Sequence, residues 1–64
     1  VRLKTADLMA WRARKHFTQV EAAAFIGVSK QTYHNAEHGR TLLLLSAASI
    51  AKAIRVPLDQ LKER

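Results

Sequence analysis

The stretch that decides the fold is TQVEAAAFIGVSKQTYHNAEHG, Thr18 to Gly39. Thr18 is an N-cap residue for a short alanine-rich helix, QVEAAAFI, which Gly27 ends. Ser29 caps a second helix, KQTYHNAEH, that runs to Gly39. Two helices joined by about three residues around a glycine form a helix-turn-helix. The second helix must cross the first closely, which asks for small residues in mid-helix, and Ala22 and Ala23 supply them. The turn needs a positive φ, which Gly27 adopts without steric cost. Ile26, Val28, Tyr33 and Ala36 fall where both helices have to be pinned to a core.

With Tyr33 and Ala36 facing inward, the helical period places Lys30, Gln31, His34, Asn35 and His38 on the outward side of the second helix. That stripe carries donors and amides and no acid. Gln and Asn bond bidentately to adenine, Lys donates to guanine O6 and N7, and His reaches bases or phosphate in either protonation state. This is the chemistry of a major-groove reader.

Outward from this stretch the chain stays helical, because alternating strand-like runs are missing and only two glycines and one proline interrupt it. Thr5 is the expected N-cap of a first helix, with Asp7 in its first turn and Leu8, Trp11 and Arg12 on one face. The basic run RARKH suits the end of that helix near Lys15. After the loop RTLLLL, Ser46 is the expected cap of a fourth helix with Ala47, Ile50, Ala51 and Ile54 inward. Pro57 stops it and opens a last short helix, LDQLKE, with Leu58 and Leu61 inward. The expectation is an all-α, five-helix unit forming one domain over residues 1–64.

Sixty-four residues bury only about 60% of the surface the unfolded chain exposes, so the core is marginal. There is no cysteine to staple it, which leaves regular helix packing and self-association. Lys and Arg number 11 against 5 Asp and Glu, a net charge of +6 that favours polyanions such as nucleic acid. The runs AAAFI and LLLL fall far short of the roughly 20 apolar residues of a membrane span, so no membrane partner and a cytoplasmic location are expected. The chain opens at Val1 and not at a methionine, which is compatible with a longer parent.

His34, Glu37 and His38 spell H-x-x-E-H, a spacing by which a helix offers two zinc ligands and a general base. A catalytic zinc site wants a third protein ligand, and the remaining acids, Asp7, Glu21, Asp59 and Glu63, have no identifiable supporting partner. The reading preferred is an exposed helix face, with no metal, no cofactor, no catalytic residue and no enzymatic activity. Trp11 and Phe17 read as core aromatics at helical spacing. Arg14 and Lys15 read either as a solvated face or as a source of phosphate attraction.

Several of these words, TQVEAAAFIGVSK, TYHNAEHGR and IAKAIRVPLDQL, make the chain from about Trp11 to Leu61 resemble the Cro/C1-type (Xre-like) helix-turn-helix DNA-binding domains of phage and bacterial regulators. The features agree in order: Thr18-Gln19, Ala23, Gly27-Val28-Ser29, Glu37-x-Gly39, then Ala51 and Val56. The resemblance implies a compact lambda-repressor-like bundle. It implies that Gln19 contacts a phosphate and braces the recognition helix, that Lys30, Gln31 and Asn35 touch base edges, and that Ser29, Thr32, His38 and Arg40 lie at or beside the DNA backbone. It also implies a salt bridge from Arg12 to Glu37, which agrees with the cost of an unpaired carboxylate one turn after core Tyr33.

The run Leu42 to Leu45 departs from the family, whose loop here is generally polar. All four leucines cannot point inward in a regular conformation, and Leu43 and Leu44 are the expected pair to complete the core. Leu42 and Leu45, with Leu58 and Leu61, are the expected dimer interface. The function read from the sequence is a transcriptional regulator, with repression as its simplest consequence. As a homodimer it would insert helix 29–38 into the major groove of a near-palindromic double-stranded operator. An activator, an antitoxin or a restriction controller would use the same reader. The alternative from another class is a protein-interaction module of the same fold that uses Leu42–Leu45 and has no DNA specificity.

Overall fold

The computed structural model describes residues 1–63. Five helices follow one another: α1 (Thr5–Lys15), α2 (Gln19–Ile26), α3 (Lys30–Glu37), α4 (Leu44–Ile54) and α5 (Leu58–Leu61). The start of α2 is a full capping box, in which Thr18 Oγ1 accepts from the Glu21 amide (3.2 Å) and Glu21 Oε1 accepts from the Thr18 amide (2.9 Å). Ser29 Oγ accepts from the Thr32 amide to start α3. Between them Gly27 sits at φ 91° and its amide closes on Ala23 O at 2.9 Å. A Cβ at Gly27 would meet nothing within 4 Å, so the demand for glycine there is conformational and not steric.

Two expected caps are corrected. Thr5 is the first residue of α1, and the N-cap is Lys4, whose side chain makes no capping bond. Leu43, not Ser46, precedes α4, which therefore opens three residues earlier than its hydroxyl signal implied. The Leu43 carbonyl accepts the Ala47 amide at 3.0 Å, so the backbone turns helical before Ser46 is reached.

The core is built from Leu8 and Trp11 of α1, Ala22 and Ala23 of α2, Tyr33 and Ala36 of α3, and Ala47, Ile50, Ala51 and Ile54 of α4, all buried. Ala22 and Ala23 let α3 pack closely on α2, as small residues must at a tight crossing. Leu61 closes the bottom of this core with no exposed surface.

An extended N-terminal segment completes the fold and has no counterpart in the sequence expectations. Leu3 is fully buried and forms an antiparallel bridge with Lys62. Lys4 N–H donates to Leu61 O (2.8 Å), Glu63 N–H to Arg2 O (2.7 Å) and Leu42 N–H to Val1 O (2.7 Å). The first four residues thereby tie the end of α5 to the loop before α4. This pinning settles the leucine run: Leu42 is drawn into the core at 7% exposure, while Leu43, Leu44 and Leu45 are 80%, 61% and 82% exposed. The expectation that Leu43 and Leu44 complete the core is corrected. Leu42 and Leu61 are consumed by the chain's own core and Leu58 packs against it, so of the residues expected at a subunit interface only Leu45 is exposed.

This arrangement separates the leucines energetically. Leu42→Ala is expected to cost about 2–4 kcal/mol of stability, as buried leucines do. Leu43→Ala and Leu45→Ala should stay within about 0.5 kcal/mol in denaturant melts at low protein concentration. Equal effects would place the core leucine elsewhere in the run.

Candidate nucleic-acid interface

The geometry of α3 starts from its one acid. Glu37 is buried, with its side chain only 2% exposed, and a lone carboxylate there would be costly. Three donors meet it: Arg12 Nε on Oε2 at 2.6 Å, Arg12 Nη2 on Oε1 at 3.1 Å, and Gln19 Nε2 on Oε1 at 3.1 Å. The guanidinium fork is bidentate, the strong geometry for such a pair. Its remaining Nη1 donates to Phe17 O at 3.2 Å, so α1 also holds the loop before α2.

Burial alone pushes the Glu37 carboxyl up, but hydrogen bonding from Arg12, helped by Tyr33 and Gln19 and by the Arg12 charge, overrides it and holds the group below its ordinary range. Arg12 is pushed up by the same bond. The Tyr33 phenol is pushed up first by burial and then by the adjacent carboxylate. The Tyr33 hydroxyl is buried beside this carboxylate but outside full hydrogen-bond geometry, so its pull on Glu37 is weaker than that of Arg12.

Gln19 passes this order on to the outward face. While its amide nitrogen donates to Glu37, its Oε1 lies 3.3 Å from His34 Nδ1. His38 Nδ1 lies 2.8 Å from the His34 carbonyl, and the two imidazoles stack with centroids 4.0 Å apart. Both contacts are satisfied by an Nδ1–H tautomer, which leaves Nε2 of each neutral ring as an acceptor and, on protonation, as a donor.

Further along, Asn35 is a hub. Gln31 Nε2 donates to its Oδ1 at 2.9 Å and Arg40 Nη1 donates to the same oxygen at 3.1 Å. The Arg40 amide also donates to Asn35 O at 3.0 Å, folding the segment after α3 back along it. Lys30, Gln31 and His38 are exposed and His34 and Asn35 half-buried, so all five share the solvent side of α3. Ser29 hydrogen-bonds Thr32 at the helix start, with Oγ and Oγ1 2.8 Å apart. The structure thus links Gln19, His34 and His38 in one set of contacts and Gln31, Asn35 and Arg40 in another along α3, with Lys30 exposed at its start and Ser29 and Thr32 bonded to each other.

Sequence reasoning did not find the bond from Arg40 to Asn35, because a five-residue separation across a helix end has no fixed periodicity. The glycine at position 39, with φ 69°, was the available signal that the chain turns back there. The H-x-x-E-H spacing loses its acid: Glu37 is turned inward onto Arg12 and Gln19 while the two histidines stay outside. Among the described residues no cluster of three or more metal-ligating side chains forms.

A two-helix unit of this kind, with a glycine turn and a polar outer face on its second helix, defines a helix-turn-helix DNA-binding domain. A family model of Cro/C1-type helix-turn-helix domains matches residues 8–61, and the chain belongs to that family of DNA-binding regulatory domains. No curated protein and no solved structure matches the chain. Among the described residues no helix is long and apolar enough to cross a membrane.

The buried pair makes a measurable claim. Arg12→Ala leaves Glu37 without its charged partner and is expected to cost about 2–4 kcal/mol, a fall in Tm of about 10 °C or more for a domain this small. Because the folded carboxyl titrates below its unfolded value of about 4.3, its contribution is complete above that pH and is lost as pH falls through the folded pKa. Glu37→Gln should therefore flatten the acid limb of the stability profile. An unchanged limb would assign acid unfolding to other groups.

Proposed function

We propose that the whole chain, residues 1–64, acts as one sequence-specific DNA-binding domain of a transcriptional repressor. The observation that carries the reading is the outer face of α3: amides, imidazoles and a lysine, with the helix's one acid turned inward and neutralised. In this reading α3 enters the major groove, and Lys30, Gln31, His34 and Asn35 discriminate bases. Gln19, Ser29, Thr32, His38 and Arg40 fix the register at the phosphates. The net charge of +6 supports phosphate attraction of this kind.

The reading extends to a homodimer, with two copies of α3 about 34 Å apart on half-sites one turn apart. The support is the exposed trio Leu43, Leu44 and Leu45 on a chain whose core is small. Repression follows if the operator overlaps a promoter, which the bound dimer then occludes. The same exposed leucines favour a second reading, a protein-interaction module of this fold without DNA specificity.

Selection from a random duplex library at physiological salt separates the two. The regulator is expected to enrich a two-fold symmetric motif, and Gln31→Ala or Asn35→Ala should relax preference at single positions by about 1–3 kcal/mol. Affinity should fall steeply with salt. If no motif is enriched and Leu45→Ser abolishes capture of a protein partner, the interaction module is the better account.

A further inference from the structure

On a different face from the reading stripe, the C-terminal ends of α1 and α4 and the last turn of α2 enclose a groove of about 840 Å³. Its apolar lining is Phe25, Ile26, Ala53 and Ile54 with Trp11 beneath, the Trp11 and Phe25 rings lying 5.9 Å apart; Phe25 is 56% exposed and Trp11 only 4%. Arg14, Lys15, Lys52 and Arg55 also line it, and no acid does. None of the four cations takes part in an ion pair among the described residues. The Lys15 ammonium stands 5.7 Å from the centroid of the Phe25 ring, within cation–π reach.

Cations at helix ends complement the helix dipole, which accounts for part of this cluster. Arg55, the C-cap of α4, gains from the same dipole but also carries a backbone cost. That residue ends α4 with φ 61° in the left-handed region, where glycine carries no penalty, as Gly27 and Gly39 show at the ends of α2 and α3. His16 ends α1 in the same way, so the turn alone does not mark the groove; what Arg55 adds is a fourth cation at its lip.

We propose that this groove is a docking site for an acidic segment of another protein that carries a large apolar side chain. The apolar side chain packs against the exposed ring of Phe25, over buried Trp11, while flanking carboxylates meet Arg14 and Lys15 on one wall and Lys52 and Arg55 on the other. Charge complementarity selects the partner: four cations without an acid repel basic segments and strand a neutral one among unpaired charges. None of these six residues belongs to the stripe on α3, so the proposal does not rest on base recognition there.

The test uses the intact chain and Trp11, its one tryptophan, as reporter. The synthetic peptide EELFEELLEE, which has no tryptophan, is titrated in and Trp11 emission is followed. The expected result is a saturable change that neither the neutral peptide QQLFQQLLQQ nor polyglutamate produces. Lys52→Glu and Arg55→Gly should each weaken it about tenfold, equivalent to about 1.4 kcal/mol. Arg55→Gly should at the same time melt at an equal or higher temperature, because it relieves the positive φ, so that lost binding is not lost folding. The proposal is overturned by an equal response to polyglutamate, which marks a general anion surface. A matching Trp11 change on adding duplex DNA also overturns it, by making the groove a phosphate contact. Undiminished binding by Arg55→Gly removes its basis.

Discussion

Three helices of this domain are organised by one buried carboxylate. Glu37 ends α3 where the chain is closed off from water, and a charge in that position has to be met by donors from elsewhere in the molecule. Arg12 comes from α1 and Gln19 from α2, so satisfying Glu37 fixes the mutual placement of the three helices. Apolar packing alone would leave this placement softer, because the crossing of α2 and α3 is lined by Ala22 and Ala23, which bury little surface each. The polar contact supplies direction where the small residues supply closeness.

The same contact extends to the outer face. Gln19 can hold only one amide orientation while donating to Glu37, and that orientation turns its oxygen toward His34. The imidazole is thereby steered from inside the protein. Asn35 is steered from outside, by Gln31 and Arg40. Side chains held in this way have lost part of their rotamer freedom before a ligand arrives, which lowers the ordering cost of a polar interface. The bonds among Gln31, Asn35 and Arg40 are solvent-exposed, so exchanging them for base or phosphate contacts costs little.

How much of this was legible depends on the range of the forces involved. Thr18, Glu21, Gly27 and Ser29 act within a few residues of themselves, and the capping box and the turn could be read directly from their spacing. The ion pair between Arg12 and Glu37, 25 residues apart, was reached only through family resemblance together with the cost of burying a carboxylate. Leu3 was not legible, because one leucine in a short polar segment carries no period, and its burial depends on backbone bonds to Leu61, Lys62 and Leu42. The phase of the leucine run follows from the same tether. Four identical residues contain no internal information about which faces inward, and the contact with Val1 decides it. On α3 the outer face was legible as a set of residues, whereas the hydrogen bonds within that set depend on rotamers that periodicity does not encode.

The ends of the helices divide the molecule in a way that composition does not. Those of α2 and α3, next to the polar outer face of α3, turn through Gly27 and Gly39 and leave no side chain at the turn. Those of α1 and α4 turn through His16 and Arg55, both with positive φ, and each accepts a conformation that costs an L-residue about 1 kcal/mol. In a chain of this size such a cost is a sizeable part of the net stability. The α4 end does more than terminate a helix, because Arg55 joins Lys52 there and faces Arg14 and Lys15 of α1 across the exposed ring of Phe25. Repulsion among four cations opposes folding and the half-exposed ring forgoes much of its burial gain, so the buried core beneath them, with Trp11 at 4% exposure, supplies the stability against which they are held. The fold therefore carries two positively charged faces of different character. The one along α3 is polar and held by hydrogen bonds; the other is aromatic, strained at its lip and without acids to neutralise it.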